Sequence, residues 1–357
     1  MVTVSINNMA FGYSKKNIIF DDINIDMNNI KCSNNKGSIY ILMGTSGCGK
    51  STFLKLLAGI EKPDRGDIVI KPNGSLVSLL PQESVLFEHL SRENNAKYFS
   101  YIKNLQPYFS NESYNKFKSQ LKLSDVIDID SNVLLMSGGE KQRLSLLRAL
   151  SIKPKILLLD EPCTGLDISV KMNFLNLLRQ ITDELGLLVI YVTHHMNEAK
   201  LIGDKIIYIK SENENYAKVI TSSIYEFSKS PPTIEAALLI NGLEYNCIPY
   251  NINKNEIMVD NKYIIGKIES FNSEFHKKGY LLCPHSQIVY HDNQGLPVKI
   301  VGKSLSNIFL KYENESLNFF LSGPISNNNP SEISIIGNII LYDIDGQKPQ
   351  KASILST

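Results

Sequence analysis

At 357 residues the chain is long enough for two or three domains, and its 43% apolar and 20% charged composition is that of an ordinary soluble globular protein. A formal net charge of +1 gives no global attraction to nucleic acid or to an anionic membrane. Cys32, Cys48, Cys163, Cys247 and Cys283 lie far apart with no C-x-x-C pair, which argues against a disulfide framework or zinc site and fits a reducing cytoplasm.

The N-terminus, Met1-Val2-Thr3-Val4-Ser5-Ile6, alternates like a strand and does not read as a signal peptide. No apolar run approaches the roughly 18 residues that span a bilayer, so another chain must supply any membrane spans. Residues 2–6 and 18–27 read as two paired strands, with Phe11-Gly12-Tyr13 as a glycine turn between them. The Tyr13 ring is either packing under that turn or a flat surface on which adenine stacks, and a phosphate loop downstream favours stacking. Asn28 to Lys36 is polar and reads as a loop, closed by Gly37.

Ile39 to Met43 is a short apolar strand. Gly44-Thr45-Ser46-Gly47-Cys48-Gly49-Lys50-Ser51-Thr52 follows it and opens a helix through Phe53 to Gly59. Strand, glycine loop and helix in that order are the context the G-x-x-x-x-G-K-[ST] pattern requires. The glycines let the backbone curl so that successive N–H groups face a β-phosphate, and the helix dipole favours the same anion. Lys50 is expected on the β- and γ-phosphates of ATP, and the Ser51 hydroxyl on Mg²⁺.

Pro63 to Asp67 is a turn, Ile68 to Ile70 a strand, and Val77 to Leu80 a second strand with Gln82 just past its end. Gln82 is an exposed loop residue or the donor of an amide oxygen to Mg²⁺ or its water. Residues 88–150 hold an inserted helical subdomain. At its end Ser137-Gly138-Gly139-Glu140 opens a helix with Leu144, Leu147 and Leu150 on one face, a second anion-binding helix end. Ile156 to Leu159 is a buried parallel strand ending in Asp160 and Glu161. Adjacent acids there need a partner: Mg²⁺ fits, with Asp160 as a ligand through water and Glu161 as the base for an attacking water. Cys163 to Asp167 leads into a helix around 168–185, and Leu187 to Val192 is another buried strand, ending in Thr193-His194-His195. His194 stands at the strand edge where α/β sheets bind ligands. A helix from 197 to 202 and a last strand from 205 to 209 complete the first domain, which we take as 1–235. Past Pro231-Pro232, short alternating runs broken by glycine and asparagine predict a small all-β domain over 236–357.

These motifs, in this order, resemble the ATPase subunit of the ABC transporter family. Tyr13 matches its adenine-stacking aromatic, Gly44 to Thr52 its Walker A loop, Gln82 its Q-loop and Ser137 to Glu140 its signature. Ile156 to Glu161 matches its Walker B strand with the catalytic glutamate, Gly165-Leu166-Asp167 its D-loop and His194 its switch histidine. The resemblance implies an α/β P-loop NTPase (RecA-like) core with an N-terminal antiparallel β subdomain and a helical insertion. It also implies a head-to-tail homodimer, or a pair with a second ATPase subunit. Each ATP would lie between one Walker A loop and the partner copy's signature, and motion would pass through Gln82 to integral membrane permease subunits. Departures are Met136 for the usual leucine, Ser38 for a glutamate, His195 for an aspartate and a long 28–36 link, none of which removes a catalytic group.

The C-terminal region is similar to the OB-like TOBE extension of importer ATPases for sugars, polyamines, ferric iron, molybdate and sulfate. Of its Arg-Pro-Glu motif only Pro284 remains, and Leu341 to Gly346 resembles its closing strand. An importer subunit at the cytoplasmic face of the cell membrane is the expected function. A periplasmic or lipid-anchored solute-binding protein is its indirect partner, and overall resemblance leans to ferric iron as solute. The competing reading is a soluble ABC ATPase acting on nucleic acid or the ribosome through its OB-like tail. Near-neutral charge and the lack of a basic-aromatic stripe over 240–357 weigh against it.

Overall fold

A computed structural model of the chain describes residues 2–14, 17–28, 37–82, 86–101, 110–127, 132–212, 216–241, 245–269, 276–291, 296–303, 307–313, 318–324, 332–335, 337–343, 346 and 349–355. The loop expected at 28–36 lies outside these residues beyond Asn28. The chain forms two compact units, Met1–Ile224 and Tyr225–Thr357.

In the first unit the elements follow as β1 (Thr3–Ser14), β2 (Asn17–Asn28), β3 (Ser38–Gly44), α1 (Lys50–Leu57), β4 (Arg65–Lys71) and β5 (Val77–Leu80). Then come α2 (Arg92–Ala96), α3 (Asn111–Gln120), α4 (Gly138–Ser151), β6 (Ile156–Asp160) and α5 (Ile168–Leu185). β7 (Leu188–Val192), α6 (Met196–Ile202), β8 (Lys205–Glu212) and β9 (Tyr216–Ser223) close the unit. Nine strands make one sheet in the order β4-β1-β2-β9-β8-β3-β7-β6-β5. From β8 through β3, β7 and β6 to β5 the pairing is parallel, while β4, β1 and β2 pair antiparallel.

β3 and β7 are buried along their whole length, and β6 up to Asp160, as expected of the near-continuous apolar runs of parallel strands. Register places Leu42 beside Val192 and Val192 beside Asp160, so the loops leaving β3, β6 and β7 emerge at one edge of the sheet. That edge is where an open α/β sheet binds its ligand. α5 buries Phe174, Leu175, Leu178 and Ile181 at helical spacing and ends at Gly186 in left-handed backbone. Arg179 ties α5 to the strand that carries the phosphate loop: it donates to the Gly37 carbonyl at 3.1 Å and to Asp204 at 2.9 Å, and Asp204 accepts from the Ile39 amide at 2.7 Å.

Two sequence expectations need correction. Phe11-Gly12-Tyr13 is not a turn but the last part of β1, paired with Ile18 and Phe20 of β2. The strand expected at 205–209 is not the last: β9 pairs antiparallel with β8 and meets β2 at Phe20 and Ala217, joining the two parts of the sheet.

The second compact unit starts at Tyr225, upstream of the boundary read at 235. The segment around Pro231 packs with the strands of this unit, because the Tyr342 hydroxyl donates to the Pro231 carbonyl and Ala237 packs with Leu282 and Tyr342. Helices α7 (Ile224–Lys229) and α8 (Ile234–Asn241) lead into β10 (Tyr245–Asn253), β11 (Glu256–Val259), β12 (Tyr263–Ile268) and β13 (Lys278–Pro284). Two three-stranded sheets come next, β14 (Ile288–His291) and β15 (Leu296–Pro297) with β19 (Glu332–Ile335), and β16 (Lys299–Lys303), β17 (Asn307–Glu313) and β18 (Asn318–Pro324). β20 (Gly337–Tyr342) and β21 (Gln350–Leu355) close a barrel in the order β10-β11-β12-β21-β20-β13, which fits the OB-like expectation. Ile248, Ile257, Ile265, Leu281 and Leu341 fill its interior.

Candidate active site

The phosphate loop is Thr45 to Gly49, between the end of β3 and the start of α1. Gly47 and Gly49 have φ of 78° and 99°, a left-handed backbone that other residues resist. A Cβ on Gly49 would also lie 2.6 Å from Ile19 Cγ2 and 3.0 Å from Phe20 Cζ, so only glycine fits. α1 begins with no side-chain cap and no acid in its first turn, which leaves its positive end to an external anion. The Lys50 ammonium is buried over the loop and donates to the carbonyls of Gly44 at 3.1 Å and Thr45 at 2.9 Å. Cys48 in the same loop is buried, and burial pushes its thiol up despite Lys50 nearby. Tyr13 is 52% exposed, its ring edge-on to Phe11 and its hydroxyl 3.3 Å from Thr52 Oγ1, so a free aromatic face stands beside the start of α1.

Next to this loop lie the acids. Asp160 ends β6 and accepts a hydrogen bond from the Ser51 hydroxyl; burial pushes its carboxyl above the usual range, and the Ser51 bond opposes that. Glu161 follows with φ of 45°, and its carboxylate accepts from Gln82 Nε2 at 3.2 Å and Thr164 Oγ1 at 3.3 Å. Its other oxygen contacts His194 Nε2. Gln82 follows β5, Glu161 follows β6 and His194 follows β7, so three neighbouring strands bring these side chains to one point. The amide nitrogen is the engaged atom of Gln82.

The donors fit Mg²⁺. A hydroxyl already bonded to a carboxylate, with a second acid adjacent, offers the hard oxygens that ion prefers. Among the described residues no group of three or more His, Cys, Asp or Glu side chains is arranged to hold a metal.

Ser137, Gly138 and Gly139 form the start of α4. Ser137 caps the helix with Glu140 in a reciprocal box: the Glu140 amide donates to Ser137 Oγ at 3.3 Å and the Ser137 amide to Glu140 Oε2 at 2.8 Å. A Cβ on Gly139 would lie 2.8 Å from Val170 Cγ1, so this helix start packs on the start of α5. Asp167 is the N-cap residue of α5 and makes no side-chain cap bond; its carbonyl accepts from the Lys171 amide at 2.9 Å. Two groups therefore emerge: the loop 44–52 with Tyr13, Gln82, Asp160, Glu161 and His194, and the paired starts of α4 and α5. Sequence reasoning missed Thr164, Thr193 and Glu198, which support the first group; an acid four residues past His194, on a helix with Ala199 and Ile202 buried, was the available signal.

A phosphate-binding glycine loop, a buried lysine and a strand-end acid pair on a parallel sheet define a P-loop ATPase. The family model described as ABC transporter matches residues 27–164. The spermidine/putrescine import ATP-binding protein PotA of Thermotoga maritima is 31% identical over 283 residues, covering 74% of this chain and 73% of that protein. Among solved structures, an inward-facing putative metal-chelate type ABC transporter aligns with a TM-score of 0.53 at 23% identity, over 72% of this chain and 96% of that one. CbiO1 of Clostridium perfringens, part of the ABC transporter complex cbiONQ, aligns with a TM-score of 0.52 at 21% identity, over 62% and 89%. These two likenesses bear on the fold. The chain belongs to the ABC transporter family and is an ATP-binding, ATP-hydrolysing member of it.

Proposed function

We propose that this chain is the ATPase subunit of an importer, energising uptake of a small hydrophilic solute through separate permease subunits at the cytoplasmic face of the membrane. No helix among the described residues is long and apolar enough to cross a membrane, and the reading assigns the spans to those partners. Of the solutes considered from sequence, the role named for the Thermotoga maritima relative favours a polyamine over ferric iron, an oxyanion or a sugar.

One observation carries the chemistry: Glu161 is held by Gln82 and His194 beside the phosphate loop. On nucleotide binding, Lys50 exchanges the carbonyls of Gly44 and Thr45 for β- and γ-phosphate oxygens, and Tyr13 stacks on adenine. Ser51, Asp160 and Gln82 would hold Mg²⁺, which would neutralise charge on the phosphates. Glu161 accepts the proton of the attacking water, while His194 moves its Nε2 contact from Glu161 to the γ-phosphate. Ser137, Gly138, Gly139 and Asp167 serve the ATP of a second copy in a head-to-tail dimer. The β-rich second unit is a TOBE-like regulatory domain, and a solute-binding protein acts indirectly through the permease.

The test is Glu161→Gln. We expect ATP affinity to hold within about threefold while turnover falls by about 100-fold or more, with an ATP-dependent dimer on size exclusion. Normal hydrolysis by this variant would sink the role given to Glu161. Extraction of the tagged variant from native membranes with ATP is expected to bring a polytopic membrane protein. Ribosomal proteins or nucleic acid in its place would move the function to the competing reading.

A further inference from the structure

Behind the reacting edge lies a carboxylate that the chemistry above does not use. Glu198, in the first turn of α6, is 5% exposed. Its Oε2 accepts from the Tyr191 hydroxyl and from the Thr193 hydroxyl, each at 2.8 Å, and its Oε1 pairs with the Lys171 ammonium at 2.8 Å. A buried carboxylate is costly unless its charge is met, and here two hydrogen bonds meet Oε2 and the Lys171 ion pair meets Oε1. Burial pushes its carboxyl up, but the bonds from Lys171, Tyr191 and Thr193 outweigh that and hold it below its ordinary value.

What matters is where those partners sit. Thr193 Oγ1 also accepts from the His195 amide at 3.0 Å, so the backbone on both sides of His194 is fixed through one hydroxyl. Lys171 stands one turn into α5, and its amide bonds the Asp167 carbonyl. The Tyr191 hydroxyl also meets the buried Cys163, two residues after Glu161, whose thiol burial pushes up to about 11. One carboxylate thus braces the segment carrying Glu161 and Asp167 against the segment carrying His194, the two segments whose side chains meet at the Glu161–His194 contact.

We propose that Glu198 is a positioning residue for ATP hydrolysis, holding the His194 backbone and the start of α5 in the arrangement that lets His194 reach Glu161 and then the γ-phosphate. The inference rests on the hydrolytic reading of Glu161 and His194. It predicts a loss in the chemical step without a loss in nucleotide binding, because Glu198 touches neither the phosphate loop nor Tyr13 in this chain of contacts.

The experiment uses the full chain with Glu198→Gln, which keeps the shape and removes the charge. We expect kcat to fall about 10- to 100-fold, the scale of a misplaced reacting group, with KM for ATP and Kd for ADP within about threefold of wild type. Histidine-selective ring NMR supplies a readout that mere loosening of the fold does not move in this way. The His194 signals, assigned by their loss in His194→Gln, are expected to shift in Glu198→Gln, while those of His276 in the second unit stay in place. Lys171→Met, at a partly exposed position, carries the same test should Glu198→Gln not fold, with a smaller kcat loss of about tenfold. Adding it to Glu198→Gln is expected to cause no further loss, because both remove one brace.

Full kcat in a folded Glu198→Gln or Lys171→Met variant overturns the inference, as does a kcat loss with unmoved His194 signals or with an equal loss of ADP binding. Glu161→Gln is run beside them. If that variant hydrolyses ATP normally, the underlying hydrolytic reading fails; if it is inactive and Glu198→Gln is not, only the positioning role fails.

Discussion

α1 and α4 both start with glycine at the edge of the first unit, and they settle the exposed N–H groups of a helix start in opposite ways. α1 has Gly49 at its N-cap, in left-handed backbone, with no side-chain cap and no acid in the first turn. α4 has Ser137 at its N-cap and Glu140 closing a reciprocal box. The first arrangement is uncapped and open to a phosphate; the second is already satisfied by its own chain. A helix start being glycine-rich does not make it an anion site in the isolated chain. For α4 to serve a partner copy's γ-phosphate, the Ser137 hydroxyl has to be shared between that phosphate and the Glu140 amide.

Substitutions at these two starts test the contrast, and Lys50→Ala has the largest expected effect. It removes the charged donor from the open end, and ATP affinity is expected to drop by about 100-fold in titration calorimetry. Wild-type affinity would break the comparison by showing that α1 is not the phosphate end. Gly49→Ala comes next, with a forbidden φ and a clash at 2.6 Å; we expect about 2 kcal/mol of lost stability by urea denaturation together with weakened ATP binding. Ser137→Ala removes the cap of α4, and about 1 kcal/mol is expected, or about 2–4 °C in Tm, with ATP affinity of the monomer unchanged. Gly138→Ala is the smallest: a Cβ there meets nothing within 4 Å, so stability should stay within about 0.5 kcal/mol. If Gly49→Ala and Gly138→Ala cost the same, the two helix starts do not differ in their need for glycine.

Much of the first unit could be read from local signals, because its motifs sit at strand ends marked by composition. Ile156 to Leu159 is apolar without a break and then meets Asp160 and Glu161, so the strand and its burial were visible together. The helix read around 168–185 is α5, with glycine just past its end. The failures came where distant residues decide. Gly12 suggested a turn, yet a Cβ on it would lie 2.5 Å from the Asn17 carbonyl: the glycine is there for close strand pairing past bulges in β1, not for reversal. β9 was missed because its place depends on β8 and on Phe20, some two hundred residues away in β2. Glu198 looks solvated in a polar stretch, Asn197-Glu198-Ala199-Lys200, and only packing against β7 and α5 buries it. In the second unit, alternation signalled strands, but barrel closure rests on β12 meeting β21 through Lys267–Leu355 and Ile268–Ile354, pairings no local pattern specifies.

Glu161 stands in left-handed backbone at φ 45°, a conformation that costs a residue of its kind about 1–2 kcal/mol relative to glycine. The side chain proposed as the base for the attacking water is therefore one its own backbone selects against. Glycine or asparagine at this position would relieve the backbone and remove the proposed base in one substitution, while the Lys50 loop stays intact. A copy carrying either residue there is expected to keep nucleotide binding and lose the proposed base.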